Sequence, residues 1–306
     1  MKSKKAGYPL QEESPETLFY LKLANGEGWN FAAHDKPAKS WVESLGSILE
    51  LRKGKVEGFP NLIFRFRKEE KCAGVEDALE NTAVAGRYIR DLGGIHIRLD
   101  RMSADVVCEI SGDACRPDVF RMWESLYPVY SRAQNSGGLP LHAALIEKSG
   151  RGVLLAGSSN AGKSTCCRRI PPPWRVLCDE EALIVRDGKG RYLAHPFPTW
   201  SRFLDPPYRI SWNVEYCALL EAVFFLEKSS TDRVIPAGKG RTAMLIYKLS
   251  SEKCHVNLES LDQEERISVR KRLFENACEL ANSIPAFILR TSPAGRFWKE
   301  IEGALG

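Results

Sequence analysis

The octapeptide Gly157-Ser158-Ser159-Asn160-Ala161-Gly162-Lys163-Ser164 constrains this chain more than any other segment. It satisfies the pattern G-x-x-x-x-G-K-[ST] at every required position. An apolar run, Val153-Leu154-Leu155-Ala156, leads in, and a helix-compatible stretch from Gly162 to Arg169 leads out. A strand, a glycine loop and a helix in that order imply an α/β layer. Glycines let the backbone curl so that successive N–H groups face one point, where phosphate oxygens can sit. The helix N-terminus adds partial positive charge behind them. Lys163 can reach the β- and γ-phosphates, and the Ser164 hydroxyl can ligate Mg²⁺. Ser158, Ser159, Asn160, Ala161 and Thr165 complete the cradle and the first helical turn. The expected ligand is a nucleoside triphosphate.

The 306 residues suffice for two domains. The net charge of +5 comes from 44 basic and 39 acidic residues, is small and spread out, and argues for no nucleic-acid partner. The locally basic run Arg266 to Arg272 reads as a solvated helix face rather than a binding patch. Nine cysteines show no C-x-x-C pair, which excludes the common zinc and thioredoxin-like patterns and fits a reduced, cytoplasmic chain. No apolar run is long enough to span a bilayer, and no apolar run follows the basic N-terminus as in a secretory signal.

Along the chain, 17–23, 62–67, 95–99 and 105–110 read as strands and Trp41 to Leu51 as a helix. Pro117 suits the first turn of a helix running to about Gln134. Asn135-Ser136-Gly137-Gly138 is the clearest break, so the expected domains are 1–135, a smaller α+β unit that recognises a partner, and 136–306, the nucleotide-binding unit. Leu141 to Glu147 and Arg151 to Ala156 read as a hairpin about Ser149–Gly150. Without a bulge, that register sets His142 opposite Gly157. Pro171-Pro172-Pro173 stops the loop's helix, and Trp174 to Cys178 forms the next strand, ending in Asp179-Glu180-Glu181. The sequence order predicts that this strand is a parallel neighbour of the one before the glycine loop. Both would then end at the ligand edge of the sheet. Asp179 there can bind Mg²⁺ or take a proton from an attacking hydroxyl. The bland alternative is a polar strand end facing water.

The block from Leu141 to Val185 resembles the C-terminal catalytic domain of HPr kinase/phosphorylase. That family has a strand opening with His, a phosphate loop soon after, and an acidic pair ending the next strand. More widely, LPLHAALIE, STCCRRIPPPWRVLCDEEALIVRD and GRYLAHPFPTWSRF resemble the SynChlorMet cassette protein ScmC family, an HPr kinase-like family associated with gene cassettes for peptide modification. The resemblance implies a phosphoenolpyruvate carboxykinase-like P-loop domain, preceded by the smaller α+β domain, with ATP and Mg²⁺ as cofactors. It implies that Asp179 acts as base on an acceptor hydroxyl and that His142 supports it. Two departures stand out. The acidic pair is Asp179-Glu180 rather than Asp-Asp, which leaves Glu180 as a candidate Mg²⁺ helper beside Ser164. AHPFPTWSRF replaces the glycine-rich signature, so neither HPr as acceptor nor the phosphorylase reaction carries over.

In that loop, Arg202 can stabilise charge on a transferring phosphoryl group, or the segment can simply pack its prolines and aromatics. Gly238-Lys239-Gly240-Arg241 is either a second phosphate contact or a plain connector. The expected activity is phosphotransfer to a Ser or Thr of a peptide or protein. The rival is an ATP-binding accessory protein that escorts a precursor peptide. Homo-oligomerisation is left open.

Overall fold

The computed structural model describes residues 14–67, 87–92, 94–100, 103–111, 118–204, 211–259 and 261–306. Two open sheets of mixed α/β architecture organise them. The first contains β1 (Glu16–Lys22), β2 (Gly28–Ala33), β3 (Arg52–Lys53), β4 (Asn61–Phe66), β5 (Arg87–Leu92), β6 (Ile95–Asp100) and β7 (Val106–Ile110), in the order β3-β1-β2-β4-β7-β6-β5. Helix α1 (Lys36–Ile48), followed by β3, lies in the connection between the parallel pair β2 and β4. It begins earlier than the apolar spacing indicates, because Asp35 caps it, accepting from the Ala38 amide at 2.8 Å. Its buried residues Ala38, Trp41, Val42 and Leu45 recur at helical spacing and join Phe31 and Phe64 in one core.

Where one helix to Gln134 is expected, there are two: α2 (Val119–Glu124) and α3 (Tyr127–Asn135). Pro128 explains the break. Its ring would collide with the carbonyl four residues back, and it has no N–H to continue the ladder. Pro117 lies outside the described residues.

The second sheet contains β8 (Leu139–Leu141), β9 (Ala143–Lys148), β10 (Arg151–Ala156), β11 (Arg175–Cys178), β12 (Glu181–Arg186), β13 (Tyr192–Phe197), β14 (Ala218–Lys228), β15 (Arg233–Pro236) and β16 (Ala286–Thr291). Its order is β11-β9-β10-β14-β13-β12-β8, with β16 on the C-terminal half of β14 and β15 on β16. The helices are α4 (Lys163–Arg169), α5 (Lys239–Glu259), α6 (Gln263–Ser283) and α7 (Phe297–Leu305). Inward residues alternate between two layers. Ile146, Val153, Leu155 and Phe224 meet Cys166 of α4 and Phe297 of α7. Leu145, Leu154, Val223 and Phe225 belong to the cluster that includes Ile246 of α5 and Leu273 of α6 and continues into the first sheet.

The hairpin β9–β10 turns at Ser149 and Gly150, both at positive φ, and its register runs unbroken from Arg151↔Lys148 to Ala156↔Ala143. Parallel adjacency of β10 and β11 is corrected. β9 lies between them, antiparallel to both. The two edges of β10 are already taken by β9 and β14, so β11 takes the outer edge of β9. β10 and β11 still run in the same direction and deliver their C-terminal ends to one sheet edge.

A second ladder crosses the site. β8 runs into β9 through the single residue His142, and β11 runs into β12 through Asp179 and Glu180. β8 pairs with β12, and β9 pairs with β11. Cys178↔Leu145 on one side and Ala182↔Leu141 on the other keep the same register. His142 and Asp179–Glu180 therefore occupy facing kinks of one long antiparallel pair.

His195 joins the two sheets. It is fully buried, its Nε2 accepts from the Ala24 amide at 3.1 Å, and its Nδ1 sits 2.8 Å from Val214 O. Burial pulls its pKa down to about 4, against hydrogen bonds with Val214 and Tyr216 that favour the cation. Between about pH 6.5 and 4 the unfolded chain therefore binds a proton that the folded chain refuses, and stability falls as pH falls through that window. The loss from this residue is about 3 kcal/mol, complete below about pH 4. Urea titrations of wild type and His195→Gln from pH 7 to 4 check it: the stability difference should shrink with acidification, and a constant difference would refute it. No helix among the described residues is long and apolar enough to cross a membrane.

Candidate functional site

The loop Gly157–Gly162 leaves β10 and turns into α4. Asn160 (φ 64°) and Gly162 (φ 107°) take left-handed backbone, which lets the chain reverse into the helix. A Cβ on Gly157 would lie 2.7 Å from the Ala161 Cβ, so this position admits no side chain. The amides of Lys163, Ser164 and Thr165 open α4 and have no acceptor within it. Ser164 and Thr165 are exposed, as are Ser158, Ser159 and Asn160. The Lys163 side chain is buried and curls over its own loop, Nζ donating to Gly157 O at 2.7 Å and Ser158 O at 3.1 Å. Burial and the nearby Lys253 charge pull its pKa down to about 8, against Glu180, Glu252 and Asp179. A polyanion on the loop would return the full positive charge to this group.

Loop, kinks and the turn after β13 enclose a cleft of about 650 Å³, walled by Asn160, Lys163, Ser164, His142, Asp179 and Glu180 among others. The volume is ordinary for a nucleotide-sized ligand. His142 is mostly buried, with Nδ1 3.6 Å from Glu252 Oε2. Burial, then Lys163 and Lys253, hold its pKa below the usual histidine value, so at neutral pH one ring nitrogen is free of a proton. Asp179 is 6% exposed and doubly engaged: Thr199 Oγ1 donates to Oδ1 at 2.5 Å, and Arg202 Nη2 to Oδ2 at 2.8 Å. Glu180 accepts from Ser201 Oγ at 2.9 Å and lies 3.5 Å from Lys253 Nζ.

Every residue singled out for the site thus meets at one cleft or on its rim, including Arg202, which holds Asp179. The block His195–Arg202 divides. His195 and Phe197 are buried structural residues, while Thr199, Ser201 and Arg202 face the acids. Of Gly238–Arg241, Gly238 alone lies in the connector into α5: Lys239–Arg241 form the first turn of that helix, and Arg241 pairs with Glu227 at 3.1 Å.

Lys253 was not legible. From α5 its ammonium reaches Glu181 Oε2 at 3.1 Å as well as Glu180, and it lies 5.6 Å from the Trp123 ring centre. Burial works to lower its pKa, but Glu181 and Glu180 outweigh burial and hold it above the usual lysine value. Glu181 itself is completely buried. Lys228, at the end of β14, also lines the cleft. A lone lysine inside a helical run carries no sequence signal of a site. Lys228 follows from β14 only once that strand is placed beside β10.

No curated protein matches the chain. The family model described as SynChlorMet cassette protein ScmC matches residues 106–306, two thirds of the chain, including the glycine loop, both kinks and α5. The chain therefore belongs to the SynChlorMet cassette protein ScmC family.

Proposed function

We propose that this protein is an ATP- and Mg²⁺-dependent phosphotransferase of HPr kinase-like type, built on a phosphoenolpyruvate carboxykinase-like P-loop domain. Its acceptor is a Ser or Thr hydroxyl of a peptide or protein in a peptide-modification cassette. One observation carries the reading: a single cleft is lined by a lysine-bearing glycine loop and by both Asp179 and His142.

The residues fit a triphosphate. Gly157 lets the loop close tightly on Ala161, and Lys163 is a buried cation that donates, among the described residues, to two loop carbonyls. They fit Mg²⁺ as a passenger of the phosphates. Among the described residues no three His, Cys, Asp or Glu side chains converge as a metal site, so the cation needs phosphate oxygens beside Ser164. Glu180 keeps acceptor capacity beyond its bonds to Ser201 and Lys253. Bound MgATP supplies the phosphoryl group and charge neutralisation. Lys163 and the first amides of α4 grip its β- and γ-phosphates. Asp179 takes the acceptor's proton as the new O–P bond forms and the bond to ADP breaks. Neutral His142 orients the acceptor side, and Arg202 moves from Asp179 toward the transferring group.

Lys163→Ala is expected to weaken binding of a fluorescent ATP analogue with Mg²⁺ by about 100-fold, or ~2.7 kcal/mol. Unchanged affinity in a folded variant would overturn the reading. A second reading, an ATP-binding accessory protein without transfer, draws on the Asp179–Arg202 ion pair, which occupies the proposed base. Incubation with γ-labelled ATP, Mg²⁺ and the products of neighbouring genes separates the two: label on a hydroxyl supports transfer, and nucleotide binding without label supports the accessory role.

A further inference from the structure

An apolar groove of about 550 Å³ lies between α5 and α6. Met244, Tyr247, Lys248 and Glu252 line it at helical spacing along one face of α5, and Arg270 faces them from α6. Met244 is 57% exposed, and Tyr247 packs edge-on against the exposed Phe274 at 5.7 Å. The last wall residue of the groove, Glu252, is the residue whose carboxylate sits 3.6 Å from His142 in the cleft. From Met244 to Glu252 is about 12 Å of helix, the span of about four residues of extended chain. Lys248 and Arg270 have no acidic partner among the described residues.

From this link between groove and cleft through Glu252 and His142 we infer that the groove holds the polypeptide segment flanking the acceptor hydroxyl, taking an apolar side chain onto Met244 and Tyr247 and an acidic one between Lys248 and Arg270. Only the word acceptor rests on the phosphotransfer reading; peptide binding does not. A second copy of the chain is a poorer occupant. Met244, Ile267 and Phe274 are 57%, 59% and 43% exposed, and together offer far less than the roughly 800 Å² per partner of a stable dimer.

The test uses the full chain and labelled synthetic peptides of about 12 residues, each with one Ser in a Gly/Ala background. One series adds a Leu and an Asp about four residues to either side of the Ser; the control has neither. Anisotropy should give at least about tenfold tighter binding for a Leu/Asp peptide. The exposed-site variant Met244→Glu/Lys248→Glu should abolish that advantage and leave fluorescent-ATP binding unchanged. Equal binding of both peptides by wild type, or an advantage that survives in the variant, overturns the inference. So does a variant that dissociates a dimer in sedimentation while peptide affinity stays the same. If the Leu/Asp peptide binds but the nucleotide does not, the groove stands and the phosphotransfer reading falls.

Discussion

Asp179→Asn should slow phosphoryl transfer by about 10³-fold and change nucleotide affinity by less than about threefold. Asparagine keeps the volume and can still accept from Thr199 Oγ1, so the kink between β11 and β12 should persist. What it loses is the proton acceptor and the charge that holds Arg202. A positioned general base contributes about 10²–10⁴ in rate, and in the proposed function Lys163, not Asp179, grips the phosphates. Arg202 is half exposed, so freeing its guanidinium costs little stability. Single-turnover transfer from γ-labelled ATP measures the effect. Arg202→Ala is the control, because it removes the ion pair and spares the carboxylate. If both variants lose activity equally, Asp179 serves as a scaffold for Arg202. If neither changes the rate, Asp179 is not the base; the accessory role requires that wild type itself transfers no label.

Lys253→Met should lower the unfolding free energy by about 3–5 kcal/mol, whatever the protein's activity. The ammonium is the cation beside Glu181, which is completely buried, and it also braces Glu180. Removing it leaves a carboxylate in an apolar surround that also contains Tyr130 and Cys254. Pairing Lys253→Met with Glu181→Gln should recover much of the loss, because the double variant has no stranded charge. Urea midpoints of the two single variants and the double variant give the coupling directly. A loss under about 1 kcal/mol for Lys253→Met alone would show that solvent reaches Glu181.

The glycine loop was legible because a chain that reverses from strand into helix demands particular residue types at fixed spacing. His142 was legible because a two-residue turn carries a strict register back along β9 to the loop. The neighbour of β11 was not, since chain order does not say which strand edges are already filled. The break between α2 and α3 was legible in Pro128, which the single helix expected to Gln134 ran through. Lys253 lies ninety residues beyond Lys163 on a helix whose pattern looks like any solvated face. Its role arises only when α5 packs over the second kink.

Facing bends in one ladder also restrict how this architecture can vary. A single-residue insertion or deletion near 142 or 179 would rotate every following side chain to the opposite side of the sheet, exchanging site groups for core groups. Substitution can tune the chemistry there, whereas length cannot drift by one: compensated changes in both arms, or none, are the only routes that keep histidine and aspartate on speaking terms with the glycine turn.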